Sequence, residues 1–422
     1  MLELLVFAST PFYPQNFNVE LIATWSDGVD TMYGVDVAVT PDNWVYLLVG
    51  DYFGTSHFFY VLDGRHFPDS GFHLVDTVYD SVNYIGALTL WKDYLYARTG
   101  YGISVYDISD RANPRFVRRV VPPGKEGERE GGKGISTDRL YVFELPQDTI
   151  LMDEWGNIWS IAIPDSPVYL TDLGNDVWYY AFLYPYLYVA LSRLKVYDLS
   201  DPRNPQLVYV DSTTAFQLNG CLAIYQDSAG NYFMAQGDFW SNKIGIYSLE
   251  NPERPEPVGI VYNPYDRTEK MCVHNNRVYA TTWNLVVFQG GMDSSHIVGF
   301  YYLGPGHVDE VKWANGYVFL TKDDLVVLRY KGDIFGTGVG ESQTSRELKA
   351  WFSRGKIFFK APEGLDLTLK VYDSRGSLVL KESLSVPKGT SSKALELPSK
   401  GVYFALLENE RTKTRRVVKC FF

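Results

Sequence analysis

The sequence predicts an all-β chain: a seven-bladed β-propeller closed by its own N-terminal strand, followed by a small antiparallel β-sandwich. Three observations predict it. The stretch ISVYDISDRANPRFV (Ile103–Val117) returns as LKVYDLSDPRNPQLV (Leu194–Val208) and, more loosely, as IGIYSLENPERPEPV (Ile244–Val258). Apolar runs that end in a polar turn recur along most of the chain, with starts about 45 residues apart on average, the period of a four-stranded blade. Residues 346–422 then change in both charge and aromatic content, which marks a second domain.

The repeated unit reads as strand, turn, strand. Ile103, Val105, Tyr106 and Ile108 are β-branched, aromatic or large aliphatic side chains that suit a pleated surface. The run alternates little, so both of its faces are expected to be buried. Asp107, Ser109, Asp110 and Asn113 can bond their own backbone and start turns, and Pro114 stops the ladder. Phe116–Val121 resumes as a second strand, and Arg118, Arg119, Pro122 and Pro123 are residues that protect a sheet edge.

Seven such runs begin at Phe58, Ile103, Asn157, Leu194, Ile244, Leu285 and Leu325. Each is preceded by a hairpin signal: AVTPDNWVYLL, LTLWKDYLYAR, ISTDRLYVF, FLYPYLYVA, IYQDSAGNYFMA, VHNNRVYA and VKWANGYVFL. Their Gly, Asn and Asp residues supply the positive φ that tight hairpins need. DEWGNIW, within the third repeat, reads equally well as a hairpin, so six and eight blades stay open. FNVELIATWSD (Phe17–Asp27) looks like the outer strand of a repeat that lacks its inner part, and the last repeat lacks an outer strand. Joining the two closes a ring and removes an exposed edge.

The YD[IL]SD…NP units resemble the LVIVD-repeat family over roughly residues 17–335. That resemblance implies a β-propeller and an extracellular or surface protein, more than a reaction. Residues 336–347 form a Gly- and Ser-rich linker. Gly336, Gly338 and Gly340 lack the strand–loop–helix context and the Lys-Ser/Thr of a phosphate loop. Residues 348–422 contain the strand-like runs KIFFK, LTLKVYD, SLVLKES, KALEL, GVYFALLEN and TRRVVKCFF, divided by turns. Val371–Gly376, Gly401–Phe404 and Arg415–Phe422 resemble the C-terminal sorting domain of type IX secretion. The Pro-Asn-Pro found near the start of that domain is missing, and only Ser353–Gly355 sits near its place. The resemblance implies export across an outer membrane.

Charge supports the division. Residues 346–422 hold 16 Lys/Arg and 8 Asp/Glu, net +8, leaving 23 basic and 42 acidic residues, net −19, in the rest. Only Tyr372 and Tyr403 of the 32 tyrosines lie in the tail. The acidic body argues against a nucleic-acid partner. No apolar run reaches the roughly 18 residues of a transmembrane helix. Residues 1–16 carry a short apolar patch, Leu4–Ala8, that fits either the trimmed end of a signal peptide or an entry strand. Cys221, Cys272 and Cys420 are scattered, without CxxC, which excludes a zinc module and leaves buried thiols or a Cys221–Cys272 bridge.

Chemical motifs are sparse. HExxH, GxSxG and the EF-hand loop are absent, so no catalytic, cofactor or metal residue is assigned and the ligand stays open. His57, His66 and His73 share one blade without ligand spacing and read as surface or turn residues. Asp153–Trp159 resembles an Asp-box only superficially and reads as a hairpin turn. Asp309 and Glu310, adjacent on a strand, point to opposite faces, and Asp323–Asp324 falls in a turn. The polar set expected around the channel is Asp36, His274, His307, Asp309 and Lys312. The favoured expectation is a non-enzymatic binding or scaffold module at the cell surface, with a protein or polysaccharide partner and export machinery acting on the tail. The alternatives are an extracellular hydrolase or lyase acting on a polymer, and a structural subunit of an extracellular assembly.

Overall fold

The computed structural model describes residues 16–331 and 349–421, apart from 29–32, 51–55, 81–83, 101, 126–138, 175–178, 191–192, 212–217, 219, 228, 266, 293–295, 305–307, 323–324, 354–355, 362–364, 374–377, 388, 395–401 and 410–413. The expected leader and linker therefore lie outside the described residues. The chain divides into two compact units, Met1–Arg329 and Tyr330–Phe422.

The first unit is a seven-bladed propeller of four-stranded sheets. After β1 (Val19–Trp25), blade 1 is β2 (Tyr33–Val39), β3 (Trp44–Gly50), β4 (Phe58–Asp63) and β5 (His73–Tyr79). Blade 2 is β6 (Ile85–Trp91), β7 (Tyr94–Thr99), β8 (Gly102–Asp107) and β9 (Arg115–Val120). Blade 3 is β10 (Leu140–Glu144), β11 (Thr149–Asp153), β12 (Asn157–Ser160) and β13 (Val168–Asp172). Blade 4 is β14 (Tyr179–Leu183), β15 (Tyr186–Ala190), β16 (Leu194–Asp198) and β17 (Gln206–Val210). Blade 5 is β18 (Leu222–Gln226), β19 (Tyr232–Gln236), β20 (Lys243–Ser248) and β21 (Glu256–Tyr262). Blade 6 is β22 (Lys270–His274), β23 (Arg277–Thr281), β24 (Asn284–Gln289) and β25 (Ile297–Tyr302). Blade 7 is β26 (Glu310–Ala314), β27 (Tyr317–Thr321) and β28 (Leu325–Tyr330), completed by β1 in the order β1-β28-β27-β26. The N-terminal strand closes the ring as expected, and Arg329 of β28 clasps Glu20 of β1 through Nε at 2.7 Å and Nη2 at 2.5 Å.

The third repeat corrects one hairpin. Within ISTDRLYVF the described end, Leu140–Phe143, lies in the first strand of the blade, Leu140–Glu144, where a second strand was expected, and it pairs with Thr149–Asp153. DEWGNIW is a hairpin, joining β11 to β12. Its chemistry is local. Asp153 accepts the Trp155 and Asn157 backbone N–H at 3.1 and 2.9 Å and the Asn157 Nδ2–H at 2.8 Å, while Gly156 supplies φ +81°. DSAGN, at Asp227–Asn231, repeats the device with bonds of 2.8, 2.9 and 3.0 Å and Gly230 at φ +89°.

The signature turns behave alike in three blades. Asp107 and Asp198 accept the N–H two residues on, from Ser109 at 2.8 Å and Ser200 at 2.7 Å, and Ser248 does the same for Glu250 at 3.2 Å. Ile108, Leu199 and Leu249 then turn inward and are buried. A register shift falls at Val105/Tyr106, Val196/Tyr197 and Ile246/Tyr247, which strengthens the twist that a blade needs. The aromatic excess also finds a structural use: the hydroxyls of Tyr46, Tyr96 and Tyr188 donate to carbonyls of Arg111, Pro164 and Pro252 in the next blade at 3.2, 2.9 and 2.8 Å. The rings themselves fill the space between blades.

The second unit is all-β as well. It holds a three-stranded sheet, from β29 (Lys349–Ser353), β30 (Lys356–Ala361) and β33 (Gly389–Ala394). A four-stranded sheet is built from β31 (Leu365–Asp373), β32 (Leu378–Val386), β34 (Val402–Asn409) and β35 (Thr414–Phe421). The strand expected at KALEL is displaced toward Gly389–Ala394, and β29 adds a strand that the sequence reading lacked.

Candidate functional site

The first strands of the blades line the centre of the ring: β2 lies beside β6, β6 beside β10, β14 beside β18, β18 beside β22, β22 beside β26, and β26 beside β2. They surround a cavity of about 190 Å3. One part of its wall is charged and carries Asp36, Arg139, Glu310 and Lys312. The other is aromatic and aliphatic, with Tyr141, Tyr179, Tyr180, Leu222 and Met271. The thiols of Cys221 and Cys272 complete it; both are free, with no bridge between them.

The charged wall is two linked networks. Asp36 of β2 accepts the Val37 N–H at 2.7 Å and the Lys312 ammonium at 2.5 Å on Oδ1, and the Leu88 N–H at 2.7 Å on Oδ2. Lys312 also donates to the Leu88 carbonyl at 3.2 Å, so one pair ties blades 7, 1 and 2 together. In the second network, Arg139 Nη1 donates to Glu310 Oε2 at 2.7 Å, joining blade 3 to blade 7. The Arg139 guanidinium lies 4.8 Å from the centre of the Tyr179 ring, a cation–π contact that adds blade 4. Its backbone N–H donates to Glu154 at 3.3 Å, and Glu154 pairs with Arg98 of blade 2 at 2.5 Å.

Electrostatics follow burial. Burial raises the carboxyl pKa of Asp36, against the pull of Lys312. Burial opposes the charge of Glu310 too, but Arg139, Lys312 and Lys270 outweigh it and hold that carboxyl below the usual range. Lys270, the first residue of β22, is only 4% exposed. Burial, then repulsion from Arg139, lowers its ammonium pKa to about 8, against the attraction of Glu310, Asp309 and Glu269. Burial pushes the Cys221 thiol up to about 12 and raises that of Cys272 as well, which disfavours the thiolate form at both.

The structure brings together two of the five expected channel residues, Asp36 and Lys312. Glu310, not Asp309, is the blade 7 carboxylate on the cavity, because Glu310 and Lys312 are two apart on one strand and share a face. His274 is elsewhere: at the far end of β22 it stacks on Trp313, with ring planes 8° apart. His307 and Asp323–Asp324 lie outside the described residues. His57, His66 and His73 are exposed. Among the described residues no three His, Cys, Asp or Glu side chains form a metal-sized group, and no helix is long and apolar enough to cross a membrane. The sequence reading missed Arg139, Lys270 and the Arg98–Glu154 pair. The available signal was a charged residue at or just before the start of a first strand, seen at Arg139, Lys270 and Glu310.

No family model matches the chain, and no curated protein matches it in sequence. Solved structures share its fold. The WD40 β-propeller domain of Doa1 matches with a TM-score of 0.51 at 12% identity, over 74% of this chain and 96% of that one. PorZ, described as an essential bacterial surface component of the type-IX secretion system of Porphyromonas gingivalis, matches with a TM-score of 0.50 at 12% identity, over 92% of this chain. The match covers 59% of PorZ's own length. At such identity these likenesses speak for the fold alone.

Proposed function

We propose that this chain is a non-enzymatic propeller that serves as a binding or scaffold module at the cell surface, carried there by its C-terminal unit. The observation that carries the reading is the state of the channel carboxylates. Both oxygens of Asp36 and both of Glu310 accept hydrogen bonds from the protein's own N–H groups or cations. A hydrolase or lyase that worked through these carboxylates would need one whose proton moves during the reaction. These are spent on joining blades instead.

The surface half of the proposal draws on the second unit. Its two antiparallel sheets, read as a sandwich, follow the sorting-domain resemblance of Val371–Gly376 and Gly401–Phe404. The LVIVD-like turns and the fold shared with PorZ, a surface component, point the same way. Partners would then be a protein or polysaccharide outside the cell, with export machinery engaging the tail. The test is cell fractionation with mass spectrometry in the native host, on the full chain and on one ended at Gly340. Surface or medium delivery of the full chain, with the shortened chain held in the periplasm, supports the proposal. Equal distribution of the two chains overturns the sorting role.

A further inference from the structure

Among the described residues the most exposed large apolar side chain is Trp240, with 75% of its surface open to solvent. It belongs to residues 237–242, the turn that joins β19 to β20 in blade 5. Apolar residues exposed on outer strands follow from the sheet, one face of which meets water. A turn has no such requirement. This turn is also firmly braced. Asp238 accepts the Trp240 backbone N–H at 3.3 Å on Oδ1 and the Ser241 hydroxyl on Oδ2. The Asn263 N–H donates to the Asn242 carbonyl at 2.9 Å, and the Asn242 side-chain amide donates to the Asn263 carbonyl at 3.2 Å. Phe239 stands edge-on to the indole, ring centres 5.1 Å apart. Arg267 holds Phe239 in turn: its guanidinium lies 5.7 Å from the ring, and its Nη1–H donates to the Phe239 carbonyl at 3.3 Å. An indole so exposed adds little to the protein's own core, while the bracing removes an ordering cost that binding would otherwise carry.

We propose that this corner of blade 5 binds a neutral polysaccharide, with Trp240 stacked on the apolar face of one sugar unit. The inference rests on the binding-module reading above and selects polysaccharide from its two partner classes. The surroundings of the indole decide the choice. A protein partner is anchored where an aromatic residue lies within an apolar patch that excludes water. Trp240 is followed instead by Ser241, Asn242 and Lys243, the last two exposed, which bring hydroxyl, amide and ammonium groups to its rim. A sugar ring has the same two-part surface. Its C–H bonds, slightly positive, suit the negative face of an indole, and its hydroxyls lie around the edge. Opposite Lys243 on β21, Tyr262 is a second exposed ring, at 55%, so a chain of sugar units can meet two aromatic residues. Local charge is balanced: Asp238 stands against Lys243, and Arg267 pairs with Glu269 at 2.7 Å. Nothing there favours a charged sugar.

The experiment is titration of the purified full chain with cellohexaose, maltohexaose and mannohexaose, and with an oligogalacturonate of the same length, read by calorimetry and by tryptophan fluorescence. At least one of the three neutral oligosaccharides is expected to bind with a Kd of about 1 mM or tighter, ahead of the charged one. Trp240→Ala is expected to weaken that binding by about tenfold or more, and Trp240→Phe, which keeps an aromatic face, to retain most of it. Trp240→Leu, apolar but without a π face, is expected to lose as much as the alanine variant. Tyr262→Ala is expected to cost less, about threefold. Both side chains are exposed, so thermal melts of the variants are expected to match wild type. No binding of any neutral oligosaccharide at about 10 mM, unchanged binding by Trp240→Ala or Trp240→Leu, or a preference for the oligogalacturonate would each overturn the proposal. The titration does not depend on where the protein is delivered, so failed export leaves it standing. Failure of the titration leaves the surface module with a protein partner.

Discussion

The signature turns at the outer ends of the blades and the cavity at their inner strands belong to the same repeats but follow opposite rules. In the turns, blades 2, 4 and 5 place an oxygen acceptor, a buried aliphatic residue and a proline in the same order, and each polar group is satisfied within a few residues. In the cavity the contributing blades each supply something different: Asp36 from blade 1, Arg139 from blade 3, Tyr179 from blade 4, Leu222 from blade 5, Met271 from blade 6, Glu310 and Lys312 from blade 7. There the partners are 171 or 276 residues apart. Repetition builds the scaffold; divergence at the first strands builds whatever is specific to this protein.

That contrast can be broken most severely at the cavity. Glu310→Ala leaves the buried Arg139 guanidinium without its carboxylate, and removing one partner of such a pair costs about 3–5 kcal/mol. Urea unfolding is expected to show a loss of this size. An unchanged midpoint would mean that the pair is solvated.

Lys270→Met acts in the other direction. The folded protein holds this lysine's pKa at about 8, below its unfolded value of 10.5. Between those two pH values the unfolded chain binds the extra proton, so wild-type stability rises with pH across that window. Below pH 8 the cost of the buried ammonium is present in full, on the order of 3 kcal/mol. Lys270→Met is therefore expected to stabilise the fold at pH 7, by up to about that amount, and the gain is expected to vanish as pH approaches 10.5. Thermal melts across that range are the check.

The scaffold is expected to respond more mildly. Tyr188→Phe removes one bond from blade 4 to the Pro252 carbonyl of blade 5, worth about 1 kcal/mol. Asp198→Ala removes an Asx turn near the surface and is expected to cost about 0.5–1 kcal/mol, with the blade otherwise intact. If Asp198→Ala proved costlier than Glu310→Ala, the turns and not the channel would be the sensitive element.

The amino-acid sequence by itself determined the all-β class, the four-stranded period and the closure of blade 7 by Val19–Trp25. Those rest on short-range chemistry, β-branched runs, Asx turns, Asn-Gly hairpins at Asn315–Gly316, which are legible wherever they occur. It also marked Asp36 and Lys312 as channel residues, since a charge within an otherwise apolar first strand stands out. Only the tertiary structure decided that DEWGNIW is the turn of blade 3, because that depends on which strand Thr149–Asp153 meets. Only the structure joined Arg139 to Glu310. An ion pair across a ring depends on the angle through which the blades accumulate, and no local pattern in the chain encodes that distance.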